Sequence, residues 1–380
     1  MRISMIFSMG MKDGIESYSE ELCRTLREYD IEITKYPITK GVLHLVRRVV
    51  RDNIDLVHIQ HEYSYFKPRP FGITVLILLA LLRLLRKKIV VTLHTVYPFN
   101  GFENYIPSKY RKYNSILKYL TKIMFLIITK ILAKLSSHVI VLTPEGKRIL
   151  EAEYRISNLT FIPYGMHKSK IYDYKDAKNE LKLSNKKVLM CFGYPYPNKG
   201  FQYAIEAVYK LVKMGYKDII LLLQDTRAIH DYRKCEEYVN MLKNLVRRRE
   251  LFPYVRFIPF IPEDVLPLYL SAVDIFIYPF EPRIASSSAL MKTLYYGKPH
   301  ILSDIPSFEF LKNLKLKNIR FVKPMSSNEI VKAILKLLNE SPSNDKKLLD
   351  MFSWEYIGKM HVRLYASLLD KNPSRSNSKP

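Results

Sequence analysis

Residues 188–208 read VLMCFGYPYPNKGFQYAIEAV. An uncharged apolar run stops at Gly193, a proline-rich turn follows, and Lys199-Gly200 stands at the head of a helical segment. A near-continuous apolar run of this kind is a strand buried on both faces, which a parallel sheet covered by helices requires. The turn sets an ammonium group beside a helix N terminus, a combination suited to a diphosphate, although an exposed lysine next to a turn glycine is the plainer reading.

The same alternation extends in both directions. Downstream come DIILLLQD (218–225), a helix to about 249, VRFIPF (255–260), a short helix, DIFIYPF (274–280), a helix near 286–296 and HILSD (300–304), closed by helices at 327–339 and 354–370. Upstream lies a polar stretch rich in Lys and Asp at 166–186. Before it stand RISMIFS (2–8), a helix over 15–29, IEITKYP (31–37), a helix near 40–51 and LVHIQHE (56–62). An apolar helix over 71–86, KIVVTLHTV (88–96), a long basic helix, HVIVLT (138–143), a short helix and LTFIPYG (159–165) complete that half. Strands separated by helices predict an α/β chain of two doubly wound, Rossmann-like domains in tandem, facing each other across a cleft. A chain of 380 residues suits that number. The expected divisions are 1–168, 169–353, a helix at 354–370 and a tail at 371–380 with no apolar pattern.

The net charge of +25 is concentrated. Between Tyr63 and Pro144 the only acid is Glu103, against thirteen Lys and Arg residues, in the most apolar part of the chain. Basic residues mixed with aliphatics suit an anionic membrane surface better than a nucleic-acid groove. The basic stretch has no clear aromatic stacking platform and no nucleic-acid recognition motif, so nucleic acid is not expected as a partner. Neither long apolar segment spans a bilayer. The run Ile73–Leu82 meets Arg83, and the helix of 113–134 carries Lys118, Lys122, Lys130 and Lys134 along one stripe. Leu117, Leu120, Met124, Ile127, Ile128 and Ile131 are expected on its other faces, making a helix that lies on a bilayer. Cys23, Cys191 and Cys235 lack metal-ligand spacing and read as buried thiols in a reducing compartment. The apolar run in MRISMIFSMG is too short for a signal peptide. A cytoplasmic protein, peripheral at the inner face of the membrane, is expected.

Chemistry belongs in the loops at the carboxyl ends of such strands. In SMGMKDGIESYSEEL, Gly10 and Gly14 separate the first strand from the first helix, whose N terminus offers N–H groups to an anion. The spacing does not match the dinucleotide-binding G-x-G-x-x-G. His61, Glu62 and Tyr63 end one strand, and His94 ends the next. His61, Glu62 and Tyr63 are candidates for binding an acceptor, the first two through sugar hydroxyls, and His94 for stabilising or deprotonating at a reacting centre. In the second half, Gly193 and Lys199 face a loop holding Arg283 and Ser286-Ser287-Ser288 before a helix. Serine hydroxyls, helix N–H groups and a guanidinium all suit phosphate oxygens, though serines are also ordinary N-caps.

Taken in order, GIESYSEEL, DLVHIQHEY, VVTLHTV, VIVLTPEGKRIL, FIPYG, FGYPYPNKG, LYLSAVDIFIYPFE, YYGKPHILSD and FSWEYIGKM resemble glycosyltransferase family 4, retaining enzymes of the GT-B fold. The resemblance spans nearly the whole chain. It implies a nucleotide diphosphate sugar held mainly by the second domain, an acceptor held by the first, and no metal or other cofactor. It assigns Gly14 to the donor-phosphate loop, His94 to the catalytic centre, Lys199 to the diphosphate, and the helix around Trp354 to a return crossing onto the first domain. The chain departs from the pattern where Tyr194 replaces a frequent Arg, and where Ile284 and Lys292 occupy the places of a Glu-x7-Glu pair. Arg and Ser residues fill that loop instead, and Glu281 is its nearest acid.

These readings predict transfer of a hexose with retention from a GDP- or UDP-sugar to a glycan or lipid-linked acceptor. The departing diphosphate would be neutralised by Lys199, Arg283 and helix N termini. No acid stands where a covalent nucleophile is needed, which fits front-face attack by the acceptor. The rival reading, prompted by the missing acid pair, is a non-catalytic GT-B-like scaffold or partner subunit.

Overall fold

The structure, a computed structural model, describes residues 1–11, 13–63, 73–105, 114–166, 168–225, 232–282, 286–340 and 347–369. The chain divides into two units, the first comprising Met1–Gly165 with Phe352 onward, the second essentially Met166–Met351.

In the first unit the order is β1 (Arg2–Phe7), α1 (Gly14–Arg27), β2 (Glu32–Pro37), α2 (Val42–Arg51), β3 (Leu56–His61) and α3 (Ile73–Leu84). There follow β4 (Lys88–Leu93), α4 (Phe102–Tyr105), α5 (Ser115–Leu135), β5 (His138–Val141), α6 (Pro144–Ala152) and β6 (Leu159–Phe161). All six strands are parallel, in the order β2-β1-β3-β4-β5-β6. Side chains alternate across the sheet with period two. Val57 and Ile59 of β3, with Ile89 and Val91 of β4, enter an apolar core under α2, α3 and α5. His58, Gln60 and Thr92 take the opposite face, and all three are fully buried.

The second unit runs α7 (Tyr174–Glu180), β7 (Lys187–Cys191), α8 (Phe201–Lys213), β8 (Ile219–Gln224), α9 (Tyr232–Arg248), β9 (Val255–Ile258) and α10 (Leu266–Ser271). It continues through β10 (Ile275–Tyr278), α11 (Ser288–Leu294), β11 (His300–Ser303), α12 (Glu309–Lys312), β12 (Ile319–Val322), α13 (Ser327–Leu338) and α14 (Lys347–Met351). Its parallel order, β12-β11-β10-β7-β8-β9, is that of a dinucleotide-binding sheet. The final helix, α15 (Trp354–Leu368), packs on α1 in the first unit. Gly358 permits this approach, since a Cβ there would lie 2.5 Å from Thr25 Cγ2.

Three details depart from the sequence reading. The polar stretch before β7 contains a helix: Lys178 pairs with Asp274 at 2.7 Å and Tyr174 Oη donates to the same carboxylate, pinning α7 to the start of β10. Residues 319–322 add an edge strand that the pattern does not single out. Strands read as reaching Val96 and Gly165 stop at Leu93 and Phe161, because the residues beyond are buried as loops without continuing the ladder.

A fourth departure lies within α5, where part of the lysine stripe is half-buried, Ile128 is buried and two threonines go inside. Its buried residues include Thr121 and Thr129, while Ile116, Leu120, Ile127 and Ile131 are exposed. Each threonine hydroxyl donates to the carbonyl four residues back, at 2.7 Å, so both can be buried with their polar groups satisfied. Of the expected lysine stripe, Lys130 and Lys134 are exposed, whereas Lys118 and Lys122 are half-buried and Lys122 lies 4.0 Å from the centre of the Phe99 ring.

Candidate active site

Each sheet reverses its winding at one point. In the second unit this lies between the neighbours β7 and β10, so the loops following those strands meet there. Gly193 ends the first loop's entry with φ +118°, and its N–H donates to Gln224 Oε1 at 2.9 Å. A Cβ on Gly200 would lie 2.0 Å from the Pro279 carbonyl oxygen, so glycine is what lets the two loops touch. Glu281 N–H donates to Asn198 O at 3.0 Å, and Lys199 Nζ lies 3.8 Å from the centre of the Phe280 ring. Lys199, Phe280 and Glu281 thus form one cluster at the head of α8. That helix begins on Gly200 with no side-chain cap. By contrast α11 is capped by Ser287, whose Oγ accepts from Leu290 N–H at 3.3 Å; Ser286 and Ser288 flank it, half-buried. Arg283 lies outside the described residues.

In the first unit the reversal lies between β1 and β3. Here the N terminus of α1 differs from the expectation of open N–H groups. The Asp13 carboxylate accepts from Ile15 and Glu16 N–H at 3.0 and 2.8 Å, and Glu16 in turn accepts from Gly10 N–H. Gly14, the first residue of the helix, is exposed. His61 is fully buried and packs against Tyr63, with ring centres 4.8 Å apart. Tyr63 is also buried: its hydroxyl pairs with Thr129 Oγ1 at 2.6 Å inside a cluster with Phe102 and Phe125. It packs as a core residue, its hydroxyl already paired. Glu62 is half-buried and accepts from Thr95 Oγ1 at 2.7 Å and from Tyr63 N–H.

His94 is 9% exposed, and its Nε2 lies 2.9 Å from Gln60 Oε1. Its backbone N–H donates to His61 O at 3.1 Å, which fixes the residue just beyond the end of β4. The Tyr18 ring meets the imidazole edge-on at 5.3 Å. Burial, with a smaller contribution from His61, pushes the imidazole pKa down to about 3. His94 is therefore held neutral near pH 7, a state suited to hydrogen bonding.

Two family models match the chain: Glycosyltransferase Family 4 over residues 34–170 and Glycosyl transferases group 1 over 173–350. Together they cover most of it. The chain belongs to the family 4-type glycosyltransferases. Among curated proteins, no sequence matches this transferase. Solved structures do. Sucrose-phosphate synthase of Thermosynechococcus elongatus aligns at a TM-score of 0.77 and 17% identity, over 97% of this chain and 99% of that one. Anabaena HepE in complex with UDP and glucose aligns at 0.72 and 17%, over 97% and 100%. The catalytic domain of Arabidopsis thaliana starch synthase IV, bound to ADP and acarbose, aligns at 0.67 and 10%, over 97% and 99%. At such identities the likeness is one of fold.

Among the transferase's described residues, no group of three His, Cys, Asp or Glu side chains is arranged to hold a metal ion, and no helix is long and apolar enough to cross a membrane. Sequence reasoning missed a buried polar group beside His94. His58, Gln60 and Thr92 sit on the same sheet face, joined by His361 and Tyr365 of α15. The signal was present in LVHIQHE and VVTLHTV, where polar residues recur at every second position of strands otherwise buried on both sides.

Proposed function

We propose that this transferase moves a hexose, with retention, from a nucleotide diphosphate sugar to a glycan or lipid-linked acceptor at the anionic inner face of a membrane. The observation that carries the donor half of the proposal is the cluster of Lys199, Phe280 and Glu281 at the head of α8, where the β7 and β10 loops meet. The ammonium group and the N–H groups of an uncapped helix end would stabilise the charge developing on the leaving diphosphate. Neutral His94 would hydrogen-bond a hydroxyl at the reacting centre instead of removing its proton. The neighbours' nucleotides include both UDP and ADP, so the fold does not select a base.

The test is release of nucleoside diphosphate from UDP-, GDP- and ADP-hexoses. Lys199→Ala should lower kcat by roughly 10²- to 10³-fold, the scale set by removing one preorganised charge-stabilising donor. Unchanged turnover in that variant, or no turnover with any of the three donors, would sink the proposal.

The acceptor half rests on the outward surface of α3 and α5. Leu84 is 78% exposed and Ile116 71%, and Ile77, Leu120, Ile127 and Ile131 lie in the open beside Arg83, Lys130 and Lys134. Burying the exposed part of one such aliphatic side chain is worth about 1 kcal/mol, and each basic residue near an anionic surface about as much again. Ile116→Ser, Leu120→Ser and Ile127→Ser together should abolish co-sedimentation with phosphatidylserine-containing vesicles while leaving the melting temperature in place. Binding that survives in this variant and in Lys130→Glu/Lys134→Glu would remove the membrane from the reading.

A further inference from the structure

We infer that Gln60 is a positioning residue for His94, and that α15 holds Gln60 in turn through His58 and Tyr365. The inference rests on the reading of His94 as a group at the reacting centre.

The side-chain atoms run in one buried line. His94 Nε2 lies 2.9 Å from Gln60 Oε1, Gln60 Nε2 lies 3.3 Å from His58 Nε2, and His58 Nδ1 lies 2.7 Å from the Tyr365 hydroxyl. Thr92 Oγ1 joins at His58 Nε2, at 2.7 Å. Apart from His94, at 9% exposure, every member is fully buried. The direction of the line is set by its chemistry. An amide oxygen can only accept, so His94 carries its proton on Nε2. The amide nitrogen then faces two acceptors, His58 Nε2 and the thioether sulfur of Met5 at 3.2 Å. Turning the amide over would aim its carbonyl oxygen at that sulfur. With Nε2 as acceptor, His58 donates from Nδ1 to Tyr365.

A second arm reaches His94 from the same helix. His361 Nδ1–H donates to Ile357 O at 2.9 Å, which leaves Nε2 to accept from the Tyr18 hydroxyl at 3.4 Å, and the Tyr18 ring packs edge-on against His94. The two arms fix the ring's tautomer and its plane. His94 Nδ1, which makes no hydrogen bond to a described residue, is left as an oriented acceptor for a hydroxyl group. Five polar side chains in this position are costly compared with an aliphatic core unless each finds its partner, and here they connect into one frame that ends at His94.

The decisive readout is the tautomer itself. In histidine-¹⁵N-labelled protein, long-range proton–nitrogen spectra show which ring nitrogen bears the proton, and His94→Gln assigns the signal. His94 should be a single Nε2–H tautomer in the unaltered chain and a mixture in Gln60→Leu. The same variant should lose about 10- to 100-fold in kcat, as when the partner that orients a functional histidine is removed, with donor KM within about threefold. Tyr365→Phe should lose less, in the same parameter. An Nδ1–H tautomer in the unaltered protein overturns the inference without any variant needing to fold, as does unchanged kcat in a folded Gln60→Leu. Full turnover in His94→Ala would instead remove the reading on which the inference stands, and the role of Gln60 with it.

Discussion

Acidification should unfold the first unit before the second. Four of its histidines are held neutral, three of them fully buried and His94 nearly so. His61 and His94 are pushed down to about 3 and His361 to about 4, chiefly by burial, and His58 lies well below its usual value, burial again leading and the nearby His361 and His94 adding to it. The second unit has one described counterpart, His300, at about 4. For a base whose folded pKa is depressed, the unfolded chain binds more protons below about pH 6.5, so stability is complete above that pH and is lost as pH falls toward the folded value. At pH 5 each histidine with a folded value near 3 or 4 withdraws about 2 kcal/mol, from the distance between its unfolded value of about 6.5 and pH 5. Three withdraw about 6 kcal/mol, and His58 adds in the same direction, against a whole domain stability of about 5–15 kcal/mol, whereas one withdraws about 2. The chain supplies its own reporter. Its single tryptophan, Trp354, is buried in the first unit against Tyr18 and Tyr164. Titrated from pH 7.5 downward, Trp354 emission should shift near pH 5 while a large part of the far-ultraviolet circular dichroism persists. A single coincident transition of both signals, or Trp354 emission unchanged at pH 4, would refute the reasoning.

Three further outcomes follow from the geometry. Gly200→Ala places a Cβ 2.0 Å from Pro279 O at φ +66°, so it should destabilise the second unit by about 2 kcal/mol or more and weaken donor binding, read by urea titration and by nucleotide-induced thermal shift. Tyr63→Phe removes only the hydroxyl paired with Thr129; it should cost about 1 kcal/mol in urea unfolding and leave turnover within about twofold, whereas a large rise in acceptor KM would restore Tyr63 to the acceptor site. Asp13→Ala strips the cap from α1 and should cost about 1 kcal/mol, lowering the urea midpoint without changing its slope.

The alternation of strands and helices could be read directly because each sheet is covered on both faces, which makes strands such as IILLLQ apolar up to their last residue. Segments held by other means could not. Helix α7 has no apolar stripe to announce it; a buried Lys178–Asp274 pair and the Tyr174 hydroxyl fasten it instead. In α5 the lysine spacing did not show that Lys118 and Lys122 would be half-buried, nor that hydroxyl bonds back to the helix's own carbonyls would let Thr121 and Thr129 go inside. At the site, glycines and the Lys199 turn were legible because loop geometry demands them. Tyr63 was placed by its nearness to a strand end, and its hydroxyl turned out to be satisfied within the core. The occupied N terminus of α1 was written in Asp13-Gly-Ile-Glu16, an N-cap aspartate followed by a first-turn glutamate, which Gly10 and Gly14 overshadowed.

The first sheet is therefore divided by chemistry as well as by side. One face meets α2, α3 and α5 mainly through aliphatic residues, a contact that tolerates small shifts and substitutions of similar volume. The other meets α15 through the hydrogen bond from His58, itself tied to Gln60 and Thr92, to Tyr365, and α15 is tied to α1 by His361 and Tyr18; such bonds fail when a partner moves by an ångström. His94 is fixed from that second face. Changes within α15, at a distance along the chain from any donor-binding loop, should then appear in the rate of the chemical step before they appear in the stability of the fold.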